Sequence, residues 1–418
     1  MTEAIEYYGG LDWGSQHHRA CLVDRAGKVI GEREVPHSGA GLAELCDWLL
    51  AKSGATPAGI AVAIETTHGP VVETLLERGF AVFAISPKQL DRFRDRFTVA
   101  GAKDDSRDAR VLADSLRTDA RAFRHLAIDD PLLIELREWS RMAEDLQQER
   151  TRLANRVREQ LWRYYPQMLQ LSDDLASDWF LALWQLVPTP AKAVRAREAA
   201  IQRLLEACHI RRFDAAEALR VLRHKPLTVA PGTTEAARAH LRALAERIGL
   251  VNKQLKTAHR QLDQLCAKLE APAKNQPGQS SEQRDVAILR SLPGVGRIIL
   301  AVLLAEAWEP LGRRYYYILR VLSGAAPVTR RSGKTCLVVR RLACNGRLRD
   351  ALYHWARVAS QRDPVSRKRY AALRQRGHSH GRALRTVGDR LLKVTCALLS
   401  RQVLFDPHHK SLATAAAT

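Results

Sequence analysis

The sequence predicts a mixed α/β domain at the N-terminus, a long helical region after it, and a basic, mainly α-helical domain at the C-terminus. In residues 1–126, β-prone runs alternate with helix-prone runs. In residues 127–283, apolar side chains recur at three- and four-residue steps on an otherwise polar chain. Residues 284–408 contain helical segments that are rich in Lys and Arg and punctuated by glycines. A chain of 418 residues is long enough for more than one hydrophobic core.

The N-terminal region begins with three short β-prone runs, YYGGLDW, HRACLVD and KVIGEREV, which predict an antiparallel meander. A helix (GLAELCDWLLAK), a buried parallel strand (GIAVAIE), a helix (PVVETLLERG), a strand (FAVFAIS) and a helix begun by PKQL follow. The last helix of this region is expected from about Asp104 to Arg117. This order of strands and helices is that of the ribonuclease-H-like fold.

The middle region carries two apolar stripes at helical spacing. The second stripe runs from Leu241 to Leu269. Two long stripes without a large companion core favour a coiled coil that packs against a partner chain over a bundle within one chain. The segment APAKNQPGQSSEQ, near residues 271–283, indicates a flexible linker. The first stripe consists of Trp139, Met142, Leu146, Leu153, Val157, Leu161 and Tyr164.

Charge is distributed unevenly along the chain, whose net charge is +21. Residues 1–126 contain 16 Lys and Arg against 18 Asp and Glu, a net charge of −2. Residues 281–418 contain 26 Lys and Arg against 8 Asp and Glu, a net charge of +18. A positive excess of this size favours a polyanionic partner, above all nucleic acid. The basic region also contains LPGVGRIILAVLLAEAWEP, which has the pattern of a helix-hairpin-helix, whose turn presents amides to a phosphate.

Several classes of protein are disfavoured by the sequence. No run of about 20 apolar residues is present, and MTEAIEYYGG lacks the pattern of a signal peptide. We therefore expect no membrane association and a cytoplasmic location. The seven cysteines are scattered without a C-x-x-C pair, which argues against a disulfide framework or a zinc site.

Acidic side chains lie at the ends of two predicted strands and on one predicted helix. Asp12 ends the first strand, and Glu65 ends the fourth, which neighbours the first in the predicted sheet. Asp105 and Asp108 are three residues apart and share a helix face, whereas Asp104 is expected to cap that helix. Four converging carboxylates repel one another unless divalent cations neutralise them, and Mg²⁺ prefers such oxygen ligands. We therefore expect a site for two Mg²⁺ ions that act on a phosphodiester.

Six blocks of the sequence resemble, in order, those of the DEDD transposases of insertion-sequence family one-ten, which are bridge-RNA-guided recombinases. GLDWGSQHHRACLVD resembles their first-strand motif, AIETTHG their glutamate motif, and KDDSRDARVLAD their next aspartate motif. LPGVGRIILAVLLAE, LSGAAPVTRRSGKT and LACNGRLRDALYHWA resemble blocks of their C-terminal transposase domain. The similarity covers nearly all of residues 7–125 and 286–405, and only the helical character of the middle.

This resemblance implies both a site and a set of partners. It implies a RuvC-like N-terminal domain whose metal-binding catalytic carboxylates correspond to Asp12, Glu65, Asp105 and Asp108. It implies a catalytic serine in the C-terminal domain, which corresponds to Ser332 in RRSGK. The implied partners are donor and target DNA, a structured noncoding bridge RNA that pairs with both, and further copies of the chain in a dimer or tetramer.

Basic residues around Ser332 and further along the C-terminal domain are expected to contact nucleic acid. Next to the serine, Arg330, Arg331 and Lys334 are expected to hold a phosphate. The other residues expected to contact a nucleic-acid backbone are Arg347, Arg349, Arg367, Lys368, Arg369, Arg376 and Arg382. The aromatic residues expected to be available for stacking on bases are Tyr353, Trp355 and Tyr370.

The sequence therefore predicts an RNA-guided DNA transposase that cuts and rejoins donor and target DNA through a covalent phosphoserine intermediate. Two other functions are compatible with the residues. One is a metal-dependent RuvC-like nuclease or junction resolvase without serine chemistry, and the other is a nucleic-acid-binding protein without catalysis. Dependence on Ser332 distinguishes the first, and loss of cleavage on changing Asp105 distinguishes the second.

Overall fold

The chain forms two compact units, Met1–Asp130 and Pro131–Thr418. The computed structural model describes residues 5–96, 105–127, 130–270, 281–333 and 335–407. Within these residues, the first unit is mixed α/β and the second is mostly helical. None of the helices in the described ranges is both long enough and apolar enough to span a membrane.

A six-stranded sheet forms the centre of the first unit. Its strands are β1 (Tyr7–Trp13), β2 (His17–Asp24), β3 (Val29–Pro36), β4 (Ile60–Ile64), β5 (Ala81–Ala84) and β6 (Arg124–His125). They lie in the order β3-β2-β1-β4-β5-β6. The first three strands form an antiparallel meander, and β4 pairs in parallel with both β1 and β5. The predicted meander and the predicted pairing of the first and fourth strands are therefore confirmed.

Four helices cover the two faces of this sheet. They are α1 (Gly39–Ser53), α2 (Pro70–Glu77), α3 (Pro87–Arg94) and α4 (Asp105–Asp119). Leucines and valines of α1 and α2 pack against one face, with Ile60 and Ile64 of β4. Helix α4 covers the opposite face, where Leu112 and Leu116 contact the alanines of β4. Asp104, the expected cap of this last helix, lies outside the described residues.

The first half of the second unit contains two long antiparallel helices, α5 (Pro131–Tyr164) and α10 (Thr233–Glu270). Four short helices separate them in sequence: α6 (Asp178–Leu186), α7 (Pro190–Arg195), α8 (Glu198–Ala207) and α9 (Ala215–Leu222). The end of α5, the start of α10 and the short helices share one hydrophobic core. We call α6–α9 the inserted bundle.

The packing of the two apolar stripes differs from the sequence-based expectation of a partner chain. Leu153, Val157 and Leu161 are at most 2% exposed and pack in the same core as Leu241 and Ile248. The short helices of the inserted bundle provide the companion core that the sequence analysis did not recognise. Most of the two stripes is therefore buried within a single chain, although Met142 of the first stripe is 40% exposed.

The rest of the second unit forms a second core with the start of α5 and the end of α10. Its elements are α11 (Ser281–Ser291), α12 (Arg297–Gly312), α13 (Tyr316–Leu322), β7 (Val328–Ser332), β8 (Thr335–Val339), α14 (Gly346–Arg362), α15 (Pro364–Gln375) and α16 (His380–Arg401). The antiparallel hairpin β7–β8 was not predicted, because this region was interpreted as helical. Of the predicted linker, residues 271–280 lie outside the described residues and 281–283 already belong to α11.

The glycine-rich turn between α11 and α12 packs against α14. Gly294 has a left-handed backbone (φ 84°), and a Cβ atom there would lie 2.9 Å from the backbone nitrogen of Ala359. The indole nitrogen of Trp355 donates a hydrogen bond to the carbonyl of Pro293 at 2.9 Å. Trp355 is completely buried. The expectation that Trp355 is available for base stacking is therefore wrong, because its ring anchors this turn.

Candidate active site

The parallel pairing of β1 with β4 brings two of the predicted carboxylates to one edge of the sheet. The last register pair is Leu11 with Ile64. Asp12 directly follows Leu11 in the sequence, and Glu65 directly follows Ile64. Because parallel strands end at the same edge, both side chains start from neighbouring backbone positions.

Helix α4 lies directly on β1 because of a glycine. A Cβ atom on Gly10 would lie 1.9 Å from the carbonyl oxygen of Ala109 and 2.5 Å from the amide nitrogen of Ala113. Alternate residues of a strand share a face, so Asp12 lies on the same face of β1 as Gly10. Asp108 directly precedes Ala109. Close packing of the helix therefore places Asp108 on the face and toward the edge of the sheet where Asp12 lies.

One arginine of α3 bonds to the carboxylates at this edge. Arg94 donates from Nε to Asp108 Oδ1 at 2.6 Å and from Nη2 to Asp108 Oδ2 at 2.7 Å. The same Nη2 lies 3.5 Å from Glu65 Oε1. A third contact joins Nη1 to Asp91, one turn earlier on the same helix. Glu65 and Asp108 therefore converge on a single cation.

Burial raises the free-energy cost of keeping the side chains of this cluster charged. The side chains of Asp108, Glu65 and Arg94 are 3%, 20% and 24% exposed. Burial acts to lower the pKa of the Arg94 guanidinium, but its hydrogen bonds to Asp108 and the nearby acidic charges outweigh this and raise the pKa. Removing one partner of a buried ion pair typically costs about 3–5 kcal/mol, because the other charge is left uncompensated. The arginine therefore stabilises the carboxylates as anions.

The structure brings together part of the predicted metal site. Asp105 begins α4, but its side chain lies outside the description. Among the side chains that are described, no group of three or more His, Cys, Asp or Glu is arranged to hold a metal ion. The group that faces Glu65 and Asp108 is the guanidinium of Arg94.

Ser332 lies at the tip of the hairpin β7–β8 in the second unit. It is the last residue of β7 and pairs with Thr335, the first residue of β8. Both residues are exposed, as are Arg330 and Arg331 on the same strand. Ser323, the other serine that precedes a glycine in this region, is only 2% exposed. Of these two serines, only Ser332 is accessible to a large substrate.

Comparisons with known proteins match both units. A DEDD transposase model described as "Transposase" matches residues 9–166. A second, described as "Transposase IS116/IS110/IS902 family", matches residues 286–371. A mini-circle putative transposase for IS117 from Streptomyces coelicolor is 33% identical over 398 residues, 93% of this chain and 93% of that protein. The chain belongs to the IS116/IS110/IS902 transposase family.

Two further relatives of this transposase family agree with the assignment. An uncharacterized 43.6 kDa protein of insertion element IS110 from Streptomyces coelicolor is 28% identical over 413 residues, 95% of each chain. A putative transposase, y4uE, from Sinorhizobium fredii is 62% identical over 216 residues. That match covers 51% of this chain and 60% of the relative.

Four basic side chains line a groove between α15 and α16 in the transposase's second unit. The groove encloses about 500 Å³, and its charged lining consists of Lys368, Arg369, Arg376 and Arg390. Burial, followed by repulsion from Arg369, lowers the pKa of Arg390. Within the described residues, neither Arg369 nor Arg390 has an acidic ion-pair partner. Three of the predicted nucleic-acid contacts therefore lie together in one groove.

A second basic cluster is formed where the end of the hairpin approaches α16. Burial, then the charges of Arg340 and Arg382, lower the pKa of Arg385. Arg340 directly follows β8. The described part of the chain supplies no acidic ion-pair partner to any of these three arginines. The predicted residue Arg382 thus belongs to a group whose mutual repulsion an external anion would relieve.

Other predicted nucleic-acid contacts are engaged within the chain. Arg347 forms an ion pair with Glu144 at 2.9 Å, and Arg349 donates to Asp350 at 2.7 Å. Arg367 donates to the carbonyl of Gln361. Lys334 lies outside the described residues. Arg347, Arg349 and Arg367 are thus less available to a phosphate than the arginines of the groove.

The two tyrosines that were expected to stack on bases contact the same histidine. Tyr370 Oη lies 2.7 Å from His380 Nδ1, and Tyr353 Oη lies 3.2 Å from His380 Nε2. Tyr353 is 38% exposed, whereas Tyr370 is partly buried against the C-terminal core. Of the three aromatic residues, Tyr353 is therefore the most accessible for stacking, and Trp355 is completely buried.

Sequence reasoning missed Arg94, Arg385 and Arg390. Arg94 lies in the run DRFRDRF, directly before the aspartate motif, and this dense local alternation of charge was an available signal. Arg385 and Arg390 lie on an amphipathic helix, where arginines are usually assigned to a solvated face. Only the packing of α16 against its neighbours shows that they are partly buried beside other arginines.

Proposed function

We propose that this transposase is an RNA-guided recombinase that cuts and rejoins donor and target DNA by means of a DEDD carboxylate site and the nucleophile Ser332. The observation that carries the proposal is the convergence of Glu65 and Asp108 on one cation at the sheet edge that also holds Asp12. The strand order, with α4 lying across the sheet, supports a ribonuclease-H-like, RuvC-like fold for the first unit.

The residues at the sheet edge fit a divalent metal. Carboxylate oxygens are the ligands that Mg²⁺ prefers, and those of Glu65 and Asp108 are already directed at a positive charge. In this proposal Asp12, Glu65, Asp105 and Asp108 hold the metal, with two ions in each site. Bound Mg²⁺ would reduce the negative charge on the phosphate and stabilise the leaving oxygen.

Ser332 provides the covalent step. Its Oγ attacks the phosphorus of a phosphodiester, and the bond from phosphorus to one deoxyribose oxygen breaks as the serine–phosphorus bond forms. The proton of the serine hydroxyl passes to the departing oxygen. Arg330 and Arg331, on the same exposed strand, bind the phosphate oxygens. Attack by a deoxyribose hydroxyl from another strand reverses the step and releases the serine, so the number of phosphodiester bonds is conserved.

The partners proposed for this reaction are donor DNA, target DNA and a structured bridge RNA that pairs with both. The groove between α15 and α16 and the second basic cluster support contact with nucleic-acid backbones, while the exposed Tyr353 supports base stacking. Assembly into a homodimer or homotetramer is part of the proposal. Because most of the apolar stripes of α5 and α10 is buried within one chain, we expect the contacts between copies to use mainly other surfaces.

The experiment that tests this function is trapping of a covalent adduct. The full-length protein is incubated with its element's RNA, labelled donor and target DNA and Mg²⁺, and then denatured. We expect a denaturation-resistant protein–DNA adduct in the wild type and in Thr335→Ala, which removes the paired hydroxyl at the same hairpin tip. The adduct should be absent in Ser332→Ala.

Three results would contradict the proposal in different ways. Cleavage without an adduct, unchanged in Ser332→Ala, would identify a hydrolytic nuclease or resolvase. Cleavage and adduct that persist in Asp105→Asn would remove the carboxylates from the mechanism. Binding of DNA and RNA without cleavage of either would indicate a non-catalytic nucleic-acid-binding protein.

A further inference from the structure

We propose that Arg94 is a displaceable internal counter-ion of the carboxylate site, which holds Asp108 and Glu65 in the metal-free protein and withdraws when a divalent cation binds. The inference rests on the proposed metal site. It adds a residue that belongs to no DEDD motif and assigns to it the control of metal binding.

The contacts of Arg94 match those of a substitute cation. Both oxygens of Asp108 accept hydrogen bonds from the guanidinium, at 2.6 and 2.7 Å. Glu65 contacts the same Nη2 at 3.5 Å. Such bidentate pairs are the strongest class of protein ion pair, and they are directional. An arginine that served only to fasten α3 to α4 would need Asp108 alone, yet this one also faces the strand-end carboxylate.

The guanidinium and a metal ion compete for the same oxygens. Arg94 engages both oxygens of Asp108, and the two cations would repel each other at the distance of a shared carboxylate. Because the site is largely buried, solvent screens this repulsion poorly. Binding of Mg²⁺ to Asp108 and Glu65 therefore requires Arg94 to move away.

The structure also provides a position for the released arginine. Asp91 lies one turn earlier on α3 and already forms an ion pair with Nη1 of Arg94. The Asp91 side chain is 66% exposed, so it lies on the solvent side of the cluster. A change of side-chain rotamer lets Arg94 keep Asp91 while it releases Asp108. The resting protein thus avoids carboxylate repulsion at the cost of weaker metal binding.

The test is a titration of the full-length protein with Mn²⁺ alone, followed by calorimetry, together with thermal melting in EDTA and in Mg²⁺. Arg94→Gln removes the counter-ion, and Arg96→Gln is the matched control, because Arg96 pairs with Asp119 instead. We expect Arg94→Gln to bind Mn²⁺ at least about tenfold more tightly than the wild type. In EDTA its melting temperature should fall, and Mg²⁺ should restore it. The control should match the wild type in both measurements.

Two further variants keep the test decisive if Arg94→Gln fails to fold. Arg94→Lys retains a charge without the bidentate fork, so its Mn²⁺ affinity should lie between those of the wild type and the Gln variant. Asp91→Asn removes the position to which the arginine withdraws and should weaken Mn²⁺ binding. Unchanged Mn²⁺ affinity in Arg94→Lys and Asp91→Asn would overturn the inference.

The outcomes separate this inference from the proposed function. If the wild type binds Mn²⁺ in a manner that Asp12→Asn abolishes, but Arg94→Gln binds no more tightly, the metal site stands and the role of Arg94 is wrong. If neither the wild type nor Arg94→Gln binds Mn²⁺, the metal site itself fails, and the inference fails with it.

Discussion

The acidic edge of the first unit and the basic groove of the second unit compensate charge in opposite ways. At the acidic edge, the buried Asp108 is neutralised by an arginine of its own unit, on the neighbouring helix α3. In the groove, Arg369 and Arg390 lie near each other, and the described residues give neither an acidic ion-pair partner. At the acidic edge an arginine of the same unit offsets part of the negative charge, whereas the arginines of the groove have no acidic ion-pair partner among the described residues.

This difference in charge compensation predicts how ligand binding differs between the two regions. A cation that binds at the acidic edge as proposed must displace the contacts of Arg94 with Glu65 and Asp108. Binding there therefore depends on the release of Arg94. Binding in the groove relieves repulsion that is already present, so a phosphate backbone is favoured without rearrangement. Nucleic acid is thus expected to associate with the basic surface of the second unit whether or not the carboxylate site is loaded.

The largest expected effect comes from the packing that creates the acidic edge. Gly10→Ala would place a Cβ atom 1.9 Å from the carbonyl oxygen of Ala109, so α4 must move away from β1. We expect a loss of about 3 kcal/mol in the free energy of unfolding, measured by urea denaturation. Gly9→Ala is the control, because its nearest new contact is 3.4 Å from Val62. Equal stability of both variants would show that α4 does not depend on this contact.

An intermediate effect is expected in the groove. The double variant Arg369→Gln/Arg390→Gln should bind duplex nucleic acid about tenfold more weakly at moderate salt, with a shallower salt dependence. Its melting temperature should change little, because the substitution removes the repulsion between the two arginines together with the attraction between Arg390 and Asp363. The measurement is fluorescence anisotropy over a salt series. Arg203→Gln/Arg220→Gln, in the inserted bundle, is a control with the same change in charge, and an equal loss there would contradict a specific role for the groove.

The smallest expected effect is a pH dependence of the first unit's stability. His18 is completely buried, its Nδ1 accepts from the Gly14 amide at 3.3 Å, and burial followed by the charge of His37 lowers its pKa from 6.5. The unfolded chain therefore binds a proton more readily than the folded one. The contribution of the neutral, buried His18 to the free energy of unfolding is therefore complete above pH 6.5. It declines as the pH falls below that value.

Urea denaturation at about pH 7.5 and about pH 5.5 measures the effect of His18. The wild type should lose stability between these values, and His18→Asn should lose less. His17→Asn, which changes an exposed neighbour, should follow the wild type. An unchanged pH slope in His18→Asn would show that this histidine is not the group that titrates.

The order of β-prone and helix-prone runs in the sequence was sufficient to predict most of the strands and helices of the first unit. The β-prone composition of the meander runs and the continuous apolar run of β4 indicate strands without information from distant residues. Strand β6 escaped prediction because its two residues, Arg124 and His125, are polar and exposed and pair only through the backbone of β5. In the second unit, an apolar stripe predicts a buried face, but it does not specify whether the same chain or another one covers it.

The candidate site was predictable only in part, for a similar reason. Asp12 and Glu65 follow strands whose adjacency the strand order implies, so their shared edge could be derived from the sequence. The alternating charges around Arg94 were a local signal for ion pairs, but the identity of its partners depends on the rotation of α3 relative to α4, which this pattern does not specify. The repulsion between carboxylates, which predicted a metal site, can also be relieved by an arginine of the same domain, as Arg94 does for Asp108.

The pair of helices α5 and α10 determines how far apart the two ends of the second unit are. At 1.5 Å per residue, the 38 residues of α10 extend about 57 Å, with the inserted bundle packed at one end and the C-terminal core at the other. One turn of B-DNA is roughly 34 Å long. A straight duplex that ran beside these helices would therefore meet the two ends more than one helical turn apart.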